Sequence, residues 1–210
     1  MEIHFYGANC IRITDKKINI VVDDNLQKLG VKSATQTDDI VIFTQDKEIQ
    51  PKDNFLINGP GEYEIAEVSI RGVPAKAYLN EKNKQLITMY SIQMDGFSVG
   101  VTGNIHPDLS DEQLETLGLI DILVIPVGDG DYTLDANAAT RLVKRIEPKI
   151  VIPTHYADDA LKYEVAQAPL QKFLNEMGIS DVQKEESLKV KGFEFGDKTK
   201  VIVLNRTVAK

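Results

Sequence analysis

In this 210-residue chain the side chain best placed for chemistry ends an apolar run, Ile150-Val151-Ile152-Pro153-Thr154-His155-Tyr156. A buried strand that delivers an imidazole to its carboxyl end supplies a general base, a hydrogen-bonding group or a metal ligand. Tyr156 adds a phenol beside it. Partners for His155 are scarce, because the other histidines are only His4 and His106. His4 sits in the strand-like Ile3-His4-Phe5-Tyr6. His106, in His106-Pro107-Asp108, reads first as a turn residue and second as a group that could fold back toward His155. Asp23-Asp24 could hold a hard cation, or could close the strand before them. Asp129-Gly130-Asp131 is read as a turn, since a calcium loop needs six or more oxygens at set spacing. Cys10 has no obvious acid or histidine partner in sequence and reads as a small strand residue. The chain contains no G-x-S-x-G elbow, phosphate-binding loop or dinucleotide fingerprint.

The elements that must position these groups change character along the chain. The first half is strand after strand: Ile3 to Tyr6, Cys10 to Thr14, Ile18 to Val22, the continuous apolar run Ile40 to Phe43, then Phe55 to Ile57. Asn58-Gly59-Pro60-Gly61 is a strong turn signal. Asp95-Gly96 turns Ile87–Ile92 into Phe97–Val101 as a hairpin. In the second half, Ser110 with Gln113 forms a capping box that opens a helix. Asp135 caps another, with Ala139, Leu142, Val143 and Ile146 at helical spacing. Pro169 begins a third, stopped by Gly178. Ile122–Val127 and Lys200–Leu204 are read as strands. Strands first and strand–helix alternation later predict two packed sheets with helices outside, a four-layer αββα sandwich in one domain spanning 1–210.

Composition narrows the function classes. The 42% hydrophobic and 27% charged content is that of a globular protein. No apolar run approaches the roughly 20 residues that span a bilayer, and the N-terminus has no secretory-signal pattern. A cytoplasmic protein with no membrane partner is therefore expected. The net charge of −8 disfavours nucleic acid, whose phosphates dominate such affinities.

Several segments, in order, resemble the metallo-β-lactamase superfamily and within it the UlaG-like bacterial hydrolase branch. They are Tyr6-Gly7-Ala8-Asn9-Cys10, Val22-Asp23, Asn58-Gly59-Pro60-Gly61-Glu62-Tyr63-Glu64, Asp121 through Gly128, and Pro153-Thr154-His155-Tyr156. The resemblance implies metal-assisted hydrolysis at a cleft ringed by histidines and aspartates. It also places the ligand positions here on Gln45, Lys47, Ile49, Gln50, a residue near Ala77, Asn104 and His155. Only His155 keeps a ligand side chain. An ammonium at Lys47 repels a dication, and amides coordinate it weakly.

The expectation is a degenerate, metal-free site, a pseudoenzyme that works by binding a small molecule or a protein. Its pocket residues would be Asp23, Asp24, Gln45, Lys47, Asn104, His106, His155 and Tyr156, and Lys47 would favour an anionic ligand. The alternative is a phosphodiester- or lactone-directed hydrolase with Mn²⁺ or Mg²⁺ near Asp23, Asp24, His106 and His155. A third reading is an oligomeric assembly subunit.

Overall fold

The computed structural model describes all residues except 17, 46–53, 79–85, 131, 183, 192–194, 197 and 210. Along the chain the elements are β1 (Glu2–Gly7), β2 (Cys10–Asp15), β3 (Ile18–Val22), β4 (Ile40–Ile42), β5 (Phe55–Ile57), β6 (Gly61–Ile65), β7 (Val68–Lys76), β8 (Leu86–Met94), β9 (Phe97–Val101), α1 (Asp111–Leu117), β10 (Ile122–Pro126), α2 (Ala136–Ile146), β11 (Ile150–Thr154), α3 (Leu170–Glu176), β12 (Lys184–Glu185), β13 (Leu188–Lys189), β14 (Lys200–Val201) and β15 (Val203–Leu204). One sheet runs β13-β1-β2-β3-β4-β5 and the other β14-β11-β10-β9-β8-β7-β6. The principal core lies between them, where Ile3, Ile11, Ile20 and Ile42 of the first sheet meet Ile70, Tyr90, Ile92 and Ile152 of the second. Strand alternation produces this face. In β7, Val68 and Ile70 are buried while Ser69 and Arg71 are exposed.

The second sheet's outer face carries the helices. Leu142 and Val143 of α2 and Phe173 and Leu174 of α3 close over Leu123, Ile125 and Val151. The caps follow the sequence: Ser110 and Gln113 exchange side-chain and backbone bonds at α1, and Asp135 accepts from Ala138 N–H at 2.7 Å. Asp95 and Gly96 both have positive φ, as the tight hairpin requires. On the first sheet's outer face the described cover is the 24–39 segment, with Leu26 and Ala34 packed on Cys10 and Val21. Cys10 is a packing residue there. The chain thus has the α/β sandwich read from its sequence, with a loop layer on this face.

One strand differs from expectation. Lys200–Leu204 is split, β14 pairing with β11 and β15 with β12. Ile202 still donates its N–H to Val151 O. No described helix is long and apolar enough to cross a membrane.

Candidate functional site

The cleft forms where strands of both sheets end. Ala8, Asp23, Asp129 and His155 all adopt left-handed backbone there, with φ between 48° and 60°. Such φ values are costly for non-glycine residues and are held only by surrounding structure. His155 follows β11, and its N–H donates to Ala8 O at 2.8 Å, tying the two sheets together at the histidine. Gly128, after β10, passes so close that a Cβ there would sit 1.9 Å from the His155 carbonyl oxygen.

His155 is 4% exposed. Its Nδ1 lies 3.1 Å from Gln167 Oε1, and Gln167 Nε2 donates to Val165 O at 2.8 Å. The Val165 carbonyl accepts only from an N–H, so it fixes Gln167 Oε1 as an acceptor. Nδ1 therefore carries a hydrogen, and in the neutral ring the lone pair belongs to Nε2. The rings of Tyr163 and Tyr132 flank the imidazole at 5.1 and 5.7 Å. Burial raises the pKa of both phenols, so they stay neutral donors.

Asn104 follows β9 and is brought beside the cleft by an Ala77–Ile105 bridge and by Tyr78 N–H donating to Asn104 O. Its side chain is consumed by protein. Asn9 Nδ2 donates to Asn104 Oδ1 at 2.8 Å. Thr154 Oγ1 donates to Asn9 Oδ1 at 3.2 Å. Asn9, Asn104 and Thr154 are all buried. The result is a neutral, mutually satisfied polar wall.

Asp23 closes β3. Its two carboxylate oxygens accept from Thr44 N–H at 2.8 Å and Thr44 Oγ1 at 2.7 Å. Gly103 makes room for this, since a Cβ there would fall 2.4 Å from Thr44 Oγ1. Asp24 turns the other way and organises the outer loop. Its Oδ2 accepts from Ser33 Oγ, Ala34 N, Thr35 N and Thr35 Oγ1 at 2.6–2.8 Å.

A cavity of about 480 Å³ opens over the imidazole and is lined in part by Gln45, Tyr132, His155, Tyr163 and Gln167, with exposed Lys28 and Glu164 among its residues. The structure thus brings Gln45 and His155 together. Three other candidates need correction. Asp24 is committed to the Ser33–Thr35 loop and lines a separate cavity. His106 is 40% exposed at its side chain, accepts at Nδ1 from Asp108 N–H, and packs near Tyr78. Tyr156 turns into the cores, where its ring meets Phe5 at 6.0 Å. Burial, with the Asp158 charge adding, pushes its phenol up to about 12. Lys47, Ile49 and Gln50 lie outside the described residues. Asn9, Asn25, Lys28, Tyr132, Tyr163 and Gln167 were not anticipated. Asn9 follows the turn glycine of the first motif, and the others carry no local signal.

As a metal shell, the described donors are one imidazole, two amides bonded to each other, and a carboxylate bonded to Thr44. No described group of three His, Cys, Asp or Glu residues converges. Zinc sites use three or four His, Cys or carboxylate ligands, so these residues do not fit it. The Mn²⁺ or Mg²⁺ set of Asp23, Asp24, His106 and His155 is not assembled either, for the reasons given for Asp24 and His106.

The model of a β-lactamase superfamily domain matches residues 2–155, and the chain belongs to the metallo-β-lactamase superfamily. An Archaeoglobus fulgidus UPF0173 metal-dependent hydrolase is 27% identical over 107 residues, which are 48% of this chain and 46% of the relative. The chain therefore matches under half the length of that relative. A candidate Zn-dependent hydrolase of the superfamily from Thermotoga maritima superposes with a TM-score of 0.76 at 22% identity, covering 97% of both chains. An isothiocyanate hydrolase from Delia radicum gut bacteria gives 0.63 at 12% identity, covering 98% and 97%. At these identities the superpositions establish the fold alone.

Proposed function

We propose that this chain is a metal-free member of the superfamily that works in the cytoplasm by binding a small molecule in the His155 cavity. The observation that carries this reading is the Asn9–Asn104 pair. The amide at the position of the bridging ligand spends its oxygen on a second amide, and a neutral wall stands where a dication would need anionic donors. The cavity offers hydrogen-bonding groups: the imidazole fixed by Gln167, the phenols of Tyr132 and Tyr163, and the amide of Gln45.

Elemental analysis tests the reading. Protein made without a chelating tag and dialysed against micromolar Zn²⁺ should retain well under one ion per chain, and EDTA should leave its melting temperature unchanged. One tightly held ion would overturn the reading.

A second reading, a metal-dependent hydrolase with a rebuilt site, is favoured by the Archaeoglobus fulgidus and Thermotoga maritima relatives, both named as metal-dependent hydrolases. It is also favoured by Asp46, Glu48 and Asp53, which follow Gln45 in sequence. Under it, Mn²⁺ or Mg²⁺ would raise the melting temperature of the wild type but not of the Asp46→Asn/Glu48→Gln/Asp53→Asn variant. Hydrolysis of a phosphodiester or lactone would follow the same pattern.

A further inference from the structure

The motif Asn58-Gly59-Pro60-Gly61-Glu62-Tyr63-Glu64 carries the chain from the first sheet into the second, and its residues divide into two sets. One set builds the crossing. Gly59 turns against β7, where a Cβ on Gly72 would fall 2.8 Å from the Gly59 carbonyl oxygen. That oxygen accepts from the Tyr63 hydroxyl at 2.9 Å and the Tyr90 hydroxyl at 3.3 Å. Tyr63 and Ile65 of β6 then pack against the core between the sheets. The other set is Glu62 and Glu64, which alternate with Tyr63 and Ile65 and stand exposed on the opposite face. Glu62 meets Arg71 in an exposed contact of 3.1 Å, and Glu64 lies opposite Ser69. Exposed pairs of this kind contribute little to stability.

β6 is the last strand of its sheet. One side of it pairs with β7 in continuous register, from Gly61 opposite Gly72 to Ile65 opposite Val68. On its other side no strand among the described residues pairs with it, so every second residue presents its N–H and C=O outward. Such an edge takes an added strand, and the side chains already on it decide which strand fits. A second copy does not fit. Antiparallel pairing of two copies about Tyr63 would set Glu62 opposite Glu64 twice, like charge against like, in a chain of net charge −8. A strand that fits puts cations opposite Glu62 and Glu64, with an apolar side chain between them on the inner face beside Tyr63. The edge therefore specifies lysine or arginine at every second position and apolar residues between.

We propose that β6 is a docking edge for an extended, alternating basic segment of a partner protein, which joins the seven-stranded sheet beside β6. Main-chain bonds to the open edge hold the segment, and Glu62 and Glu64 select it by charge. Glu67, exposed at the turn between β6 and β7, adds a third carboxylate at the end of the edge. β6 shares no residue with the His155 cavity, so the proposal stands apart from the reading of that cavity.

The test titrates capped peptides into the full chain by calorimetry. Ac-Gly-Val-Lys-Val-Lys-Val-Gly-NH2 should bind about tenfold more tightly than Ac-Gly-Val-Val-Lys-Lys-Val-Gly-NH2, which has the same composition and charge but cannot aim both lysines at one face of a strand. Two N-methylated forms of the first peptide read the main-chain bonds. Methylating the amides of both lysines, or those of the three valines, blocks opposite edges of the added strand. One form should therefore bind as the parent does, and the other should not bind. The variant Glu62→Lys/Glu64→Lys, changed at two exposed positions, should prefer Ac-Gly-Val-Glu-Val-Glu-Val-Gly-NH2 to the lysine peptide. The wild-type series decides on its own should that variant fail to fold. Equal binding of the two lysine peptides, equal effects of the two methylation patterns, a lysine preference kept by the folded variant, or no binding of any peptide overturns the proposal. Self-association of the chain that the lysine peptide reverses would make a second copy the occupant, and overturns it as well.

Discussion

Two buried polar pairs hold the two sides of the first sheet, and they solve the same problem in opposite ways. On the outer face Arg12 clasps Asp39 through two bonds of 2.7 and 2.8 Å, and its guanidinium also donates to Ala34 O. At the cleft, Asn9 and Asn104 meet amide to amide. Both pairs bridge distant segments and both are buried. The outer pair is fully charged, and Gln36 N–H completes the carboxylate's coordination. The cleft pair carries no charge. The outer pair keeps a full charge to anchor a loop, whereas the Asn9–Asn104 pair puts two neutral amides beside the cleft where the superfamily's chemistry calls for an anion.

Breaking the outer pair should have the largest effect. Arg12→Met strands the Asp39 carboxylate away from water and should lower stability by about 3–5 kcal/mol in urea unfolding. Replacing both partners, with Asp39→Leu added, should recover much of that loss. If the double variant is no better than the single, the pair is not acting as a compensated charge and the contrast with the cleft dissolves. Asn9→Ala should be milder, about 1–3 kcal/mol, since it leaves neutral partners on Asn104 and Thr154 unsatisfied. A loss as large as that of Arg12→Met would mean that the cleft wall is as demanding as an ion pair.

The smallest effect appears only in alkali. The pKa values of Tyr132, Tyr156 and Tyr163 are raised by burial above the ordinary tyrosine value of about 10. Stability from groups shifted upward is complete below that ordinary value and is lost as pH rises through the folded value. Unfolding midpoints should therefore hold between pH 7 and 9 and fall above about pH 10, with Tyr156 titrating in the folded chain at about 12. Tyr156→Phe should flatten the fall without changing the midpoint at pH 7. An equal fall in that variant would assign the alkaline loss to other groups.

Lys47 belongs to the same contrast, because it would return positive charge to the neutral cleft. A thermal-shift screen of carboxylates and phosphates should show stabilisation of the wild type and little of Lys47→Ala. Equal responses would remove Lys47 from the site.

What the sequence made legible was local. The strand that delivers His155, the Ser110 capping box and the Asp95-Gly96 hairpin depend on residues within a few positions of one another. The shortage of metal ligands was legible by counting histidines. The cleft wall was not, because Asn9 and Asn104 lie 95 positions apart and amides give no periodic signal. Gln167 and Tyr163 come from a stretch with neither strand nor helix pattern. Asp24 was misplaced for a physical reason: adjacent residues at a strand end point apart, and the Ser33–Thr35 loop offers four donors to its carboxylate. His106 was misplaced because its own turn supplies a partner in Asp108.

The four left-handed corners around the cleft bear on how a ligand arrives. With Ala8, Asp23, Asp129 and His155 locked in that backbone and the imidazole tied to Gln167, the wall around the histidine is set before encounter. Little ordering remains to be done there on association, so the entropic penalty of binding falls mainly on the ligand. Differences in residence time among related ligands should then reflect how well each leaves, with association rates nearly constant across the series.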